Sequence, residues 1–209
     1  MTTPLERAVE IMDRLRSPGG CPWDAEQTHE SLARYLVEET YEVLDAIESG
    51  DQQLLREELG DLLLQVLFHA RLAEELPAGE AYSIEDVAAD LVDKLVRRHP
   101  HVFERDENDG PVNPHDLNET WEHQKVAEKG RTSATDGVPL GQPALALAAK
   151  LSSRARRAKL DVELPAGDDI GARLFALAAE ASAAGIDPET ALRAAARSYR
   201  QAMLDAEAT

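Results

Sequence analysis

The stretch SLARYLVEETYEVLDAIESGDQQLLREELGDLLL, residues 31–64, decides the fold. Leu36 and Val43 flank Glu39 at helical spacing, three residues before it and four after. Leu55, Glu58 and Leu62 follow the same i, i+3, i+7 line in the second half. Gly50 stops the first helix and Asp51 begins the next, so the two helices run antiparallel as neighbours. The expected spans are 31–49 and 51–76, the latter stopping before Pro77.

Glu39 and Glu58 thus sit in apolar stripes where leucine would be expected. Glu42 lies one turn beyond Glu39, and Asp61 one turn beyond Glu58. A helical hairpin brings the four carboxylates toward one pocket. Glutamate pairs at this spacing are common in an acidic chain and mostly face solvent. Two pairs on facing helices, each interrupting an apolar stripe, are less easily explained that way. Buried carboxylates that face one another are costly unless a cation stands between them. Few lysines or arginines lie nearby, and all-oxygen ligands favour a hard divalent ion, Mg²⁺ or Mn²⁺.

Helical signals continue outward from this stretch. Thr3 caps a helix that opens at Pro4 and runs to about Arg16, and Ser17-Pro18-Gly19-Gly20 breaks it. Ser83 with Asp86 forms a capping pair for a helix that ends before Pro100. A loop is expected over 104–114 and a short helix over 118–129. Period-two strand patterns do not occur, and aromatics are only 4% of the chain. The expected fold is all-α. A helical module spans 1–130, and 131–209 holds a linker and an Ala-rich tail with 21 alanines after residue 143. Tail helices are expected over 144–160, 169–184 and 188–207.

Composition narrows the function classes. Of 209 residues, 40 are acidic and 22 basic, a net charge of −18 that disfavours nucleic acid as a partner. One cysteine, Cys21, excludes an intrachain disulfide and a cysteine-based zinc cluster. No apolar run approaches a membrane span and the N-terminus lacks a signal-peptide pattern, so a soluble cytoplasmic protein with no membrane partner is expected.

The first 110 residues hold 26 acids and only 10 bases, yet three of those bases, Lys94, Arg97 and Arg98, share one side of a helix. They suit a helix C-terminus, and equally they suit a polyphosphate gripped between cations and a metal. Trp121 and Lys125, at i and i+4, offer a stacking ring and a further cation, or ordinary core.

These residues resemble a known family. Glu38-Glu39-Thr40-Tyr41-Glu42 followed by Glu58-Leu59-Gly60-Asp61 is similar to the EExxE…ExxD signature of all-α nucleotide pyrophosphohydrolases. Gly20-Cys21-Pro22-Trp23-Asp24 with Gln27-Thr28, and residues 94–103, KLVRRHPHVF, narrow the resemblance to MazG. It covers most of residues 1–129.

The resemblance implies a dimeric helical bundle that hydrolyses nucleoside triphosphates to monophosphate and pyrophosphate with Mg²⁺. It implies Glu39, Glu42, Glu58 and Asp61 as metal ligands, and Glu38 as a group that orients or deprotonates water. It implies Lys94, Arg97, Arg98, Trp121 and Lys125 as nucleotide-binding residues. Trp23, Asp24 and Gln27 either close a base pocket or fix the start of the following helix. Larger relatives carry a second module with its own signature. Here Asp168-Asp169-Ile170-Gly171-Ala172-Arg173-Leu174 resembles a decayed copy, with Ala172 in place of the aspartate, so the resemblance implies no second metal site. Two other functions stay open: a narrower enzyme for dUTP, dCTP or oxidised nucleotides, and a catalytically idle helical dimer that binds nucleotide or a protein partner.

Overall fold

The computed structural model describes residues 2–104, 113 and 132–208. The chain divides into two compact units, Met1–Gly110 and Pro111–Thr209. Every described element is a helix, as the sequence implies.

The first unit begins with α1, Pro4–Arg16, capped reciprocally by Thr3 and Glu6. After it come α2, Pro22–Glu26, and α3, His29–Ser49, whose cap Thr28 pairs reciprocally with Ser31. Gly50 closes α3 in the left-handed conformation, φ 75°. Asp51 then accepts from the Gln53 and Leu54 amides and opens α4, Gln52–Ala73. The unit ends with α5, Ile84–Arg98, and α6, Pro100–Phe103.

The short helices α2 and α6 go beyond the sequence expectation. Each starts with a proline at its first turn. Pro100 reads as a helix stop in the sequence, yet a proline's fixed φ and absent N–H also suit a helix start, as at Pro22 and Pro100 here.

The principal packing in this unit is α3 against α4. Its buried core is Met12, Leu32, Leu67, Phe68 and Leu72, with Ala8, Val9, Tyr35 and Ile84 around it. These residues come from α1, the start of α3, the end of α4 and the start of α5. The core therefore fills the open end of the hairpin. Toward the Gly50 turn, large apolar side chains stay exposed, among them Val37, Ile47, Leu59, Leu63 and Leu64.

The second unit contains α7, Ala144–Arg157, α8, Ile170–Ala183, and α9, Pro188–Glu207. Asp169 and Asp187 cap the last two. α7 packs chiefly on α8, where Ala148, Ala172, Ala178 and Ala179 are buried. Small side chains allow close helix approach and offer few polar groups.

Candidate functional site

The α3–α4 hairpin places three carboxylates together. Glu39, Glu58 and Asp61 each bring an oxygen to within 4.8 Å of the others'. Antiparallel packing explains this: the Gly50-Asp51 turn sets the register, and the i, i+3 pair Glu58 and Asp61 faces α3. Glu39 and Glu58 are half-buried, along with their stripe neighbours Leu36, Val43, Leu55 and Leu62. The stripes lie at a partly covered seam rather than in the core, because the core fills the other end of the hairpin.

Burial pushes the Glu39 carboxyl above its usual range, reinforced by a hydrogen bond with Glu42 and by the charges of Asp61, Glu42 and Glu38. Glu58 is also raised, first by desolvation and then by the charges of Glu42, Asp61 and Glu57. Glu42 thus joins the cluster as a hydrogen-bonding carboxyl, and Glu38 contributes negative charge beside it. Carboxylate oxygens this close, with the Glu39 and Glu58 carboxyls raised above their usual range, form a set that a hard divalent cation would fit, because the ion would offset their mutual repulsion.

Lys94, Arg97 and Arg98 lie on the last turns of α5, which packs against α4. Lys94 and Arg97 are exposed and Arg98 half-buried. Trp121 and Lys125 lie outside the described residues.

Trp23, Asp24 and Gln27 form a knot between α2 and α3. Gln27 Nε2 donates to the Trp23 carbonyl at 2.8 Å, and its Oε1 accepts from Ser31 Oγ at 2.8 Å. Arg16 Nη1 donates to the Asp24 and Gln27 carbonyls, while Nε and Nη2 grip Glu75 at 2.8 Å each. The Arg16 side chain is 9% exposed. The Trp23 ring meets Tyr35 and Phe68 edge-on at 5.9 and 6.4 Å, with half of the residue still exposed. The Gln27 side chain thus ties α2 to the first turn of α3, Asp24 contributes its main-chain carbonyl to Arg16, and Trp23 presents a large open face.

Sequence reasoning missed one pair. His29 Nδ1 meets His69 Nδ1 at 2.7 Å. The rings are 5° from parallel with centroids 5.0 Å apart, the spacing of an in-plane N–H···N bond. Desolvation, then the His29 charge, holds the His69 imidazole below its usual range. His69 lies eight residues, two helical turns and more, beyond Asp61 on α4, and the buried Gln65 amide lies between them. The polar line Glu58, Asp61, Gln65, His69 was the available signal.

Comparison with known proteins follows the same residues. Residues 27–103 match the MazG nucleotide pyrophosphohydrolase domain. A protein of Streptomyces cacaoi, described as an uncharacterised 26.1 kDa protein, is 55% identical over 95% of this chain and 81% of its own. The nucleoside triphosphate pyrophosphohydrolase of Mycolicibacterium smegmatis is 46% identical over 96% of this chain, which spans only 58% of that relative. The nucleoside triphosphate pyrophosphohydrolase/pyrophosphatase MazG of Thermotoga maritima is 38% identical over 93% of this chain and 82% of its own.

Proposed function

The chain belongs to the MazG nucleotide pyrophosphohydrolase family, and on that premise we propose that it hydrolyses nucleoside triphosphates to nucleoside monophosphate and pyrophosphate, clearing the nucleotide pool. The observation that carries this reading is the set of Glu39, Glu58 and Asp61 oxygens within 4.8 Å of one another on the hairpin that bears the family's motif.

Glu39, Glu42, Glu58 and Asp61 would hold Mg²⁺, with Mn²⁺ as a substitute. The bound ion would supply Lewis acidity at the α-phosphoryl group and make a water easier to deprotonate. Glu38, beside the cluster, orients that water and receives its proton. The water oxygen bonds to the α-phosphorus, the bond from that phosphorus to the α–β bridging oxygen breaks, and pyrophosphate leaves. Lys94, Arg97 and Arg98 offset the charge of the departing group. Lys125 adds a cation and Trp121 a stacking face. Trp23, half exposed, is the member of its group that would contact a base; the Gln27 side chain is engaged at the α2–α3 junction, and Asp24 gives its main-chain carbonyl to Arg16.

The protein acts in the cytoplasm as a homodimer. No helix among the described residues is long and apolar enough to cross a membrane. The exposed apolar surface of α3 and α4 around the site supports the dimer, because a face of this composition calls for cover. Residues 131–209 are a degenerate second module without a metal site; Ala172, where the motif has its aspartate, is buried in α8 packing.

The test is product analysis with the eight common nucleoside triphosphates. Pyrophosphate and monophosphate are expected together. Orthophosphate and diphosphate as products, or turnover without any divalent cation, would overturn the reading.

A further inference from the structure

In a chain of net charge −18, residues 137–160 carry five bases and no acid. Four of them, Lys150, Arg154, Arg156 and Arg157, are on α7. Lys150, Arg154 and Arg157 stand at i, i+4 and i+7, on one side of the helix. Arg156 lies about 200° round from Arg154 on the opposite side, where its Nη2 donates to the Ser182 carbonyl at 3.4 Å.

Arg154 is the anomaly. It is 9% exposed. Its Nη1 donates to the Ala134 carbonyl at 3.4 Å, a long bond, and its Nε is buried with no partner. No carboxylate among the described residues forms an ion pair with it. Asp136, the acid of the adjoining turn, directs Oδ2 to the Thr132 and Ser133 amides at 2.9 Å each. The neighbouring surface of α8 is largely alanine. A guanidinium withdrawn from water with one weak bond is unfavourable unless an anion completes it.

We propose that α7 carries an anion site centred on Arg154 that takes a phosphate oxyanion, with Lys150 and Arg157 on the same side of the helix as flanking cations. The Arg154 fork matches two oxygens of one phosphoryl group. Arg154 with Lys150 one turn before it on the same side of the helix carries more positive charge than a single carboxylate neutralises and suits a multiply charged phosphate, such as pyrophosphate or the triphosphate of a nucleotide. The site is built from residues of the second unit and shares none with the carboxylate cluster of α3 and α4.

The test uses the full chain bearing Glu39→Gln, in EDTA, titrated with sodium pyrophosphate and separately with orthophosphate by calorimetry. Saturable pyrophosphate binding is expected. Lys150→Gln, an exposed change that the fold tolerates, and Arg154→Lys, which keeps the charge and loses the fork, should each weaken it about tenfold. Arg156→Gln should leave it unchanged. Circular dichroism verifies the fold of each variant. Absence of saturable binding would overturn the proposal. So would equal loss in Arg156→Gln, which would indicate general charge attraction, or binding indifferent to both Lys150→Gln and Arg154→Lys. Because metal and Glu39 are absent throughout, the result is independent of whether the α3–α4 cluster hydrolyses nucleotides.

Discussion

Glu39 of α3 and Glu58 of α4 face each other across the hairpin, each with an oxygen within 4.8 Å of the other's and of Asp61's. Both carboxyls are raised above their ordinary range, desolvation being the first cause and neighbouring carboxylates the next. A raised folded-state pKa contributes stability below the unfolded value, and that contribution is lost as pH rises through the folded value. A divalent cation reverses the penalty. Saturating Mg²⁺ should therefore raise the melting temperature at pH 7.5 and have little effect at pH 4. Thermal scans across that range check this, and Asp61→Asn should lose the Mg²⁺-dependent gain.

The His29–His69 pair predicts a separate acid transition. An N–H···N bond needs one ring nitrogen bare, so a second proton breaks it. Since the folded His69 pKa is lowered, the stability of the pair is present above the unfolded value, near 6.5, and is lost as pH falls toward the folded value. The slope for one proton is at most about 1.4 kcal/mol per pH unit. Urea unfolding between pH 5 and 7.5 measures it. His69→Phe should flatten the curve in that window, and an unchanged slope would remove the pair from the account.

Arg16 is predicted to matter for stability more than for chemistry. Arg16→Met leaves the Gln27 carbonyl and Glu75 Oε2 without their Arg16 donor, and the Asp24 carbonyl with only the Gln27 amide at 3.3 Å. Arg71 Nη1 still reaches Glu75 at 3.1 Å, which limits the loss to about 2–3 kcal/mol. Urea denaturation gives the number. A change within about 0.5 kcal/mol would show that the α2–α3 knot is not held by this side chain.

The exposed apolar residues of the hairpin predict self-association. Val37 is 55% exposed, Ile47 54% and Leu59 49%. Sedimentation should show a dimer at micromolar concentration, and Leu63→Glu should shift it toward monomer. A monomer with full activity at those concentrations would contradict the dimer.

Much of this was legible in the sequence. Caps at Thr3 and Ser83 and the Gly50 stop are local, and the chain forms helices where they direct. The carboxylate cluster was legible because two helices joined by a tight turn leave little choice of register. Tertiary relations between distant segments were not. Nothing local announces that Arg16 reaches Glu75, or that His29 meets His69. The depth of Glu39 and Glu58 was also not readable, since apolar periodicity marks a face and not how well a neighbour covers it. The solitary Arg154 became visible only once α7 had packed on α8.

The central claim is that the α3–α4 carboxylates hold the metal that hydrolysis requires. Its most direct test is pyrophosphate release as a function of Mg²⁺ concentration, for the parent protein, Glu39→Gln and Asp61→Asn. Changes outside a ligand set alone cost roughly 10–100-fold, so loss of a ligand should lower turnover at least about a hundredfold at saturating Mg²⁺ and move half-saturation upward. Both variants should remain folded by circular dichroism. Turnover and Mg²⁺ dependence matching the parent in either variant would contradict the claim.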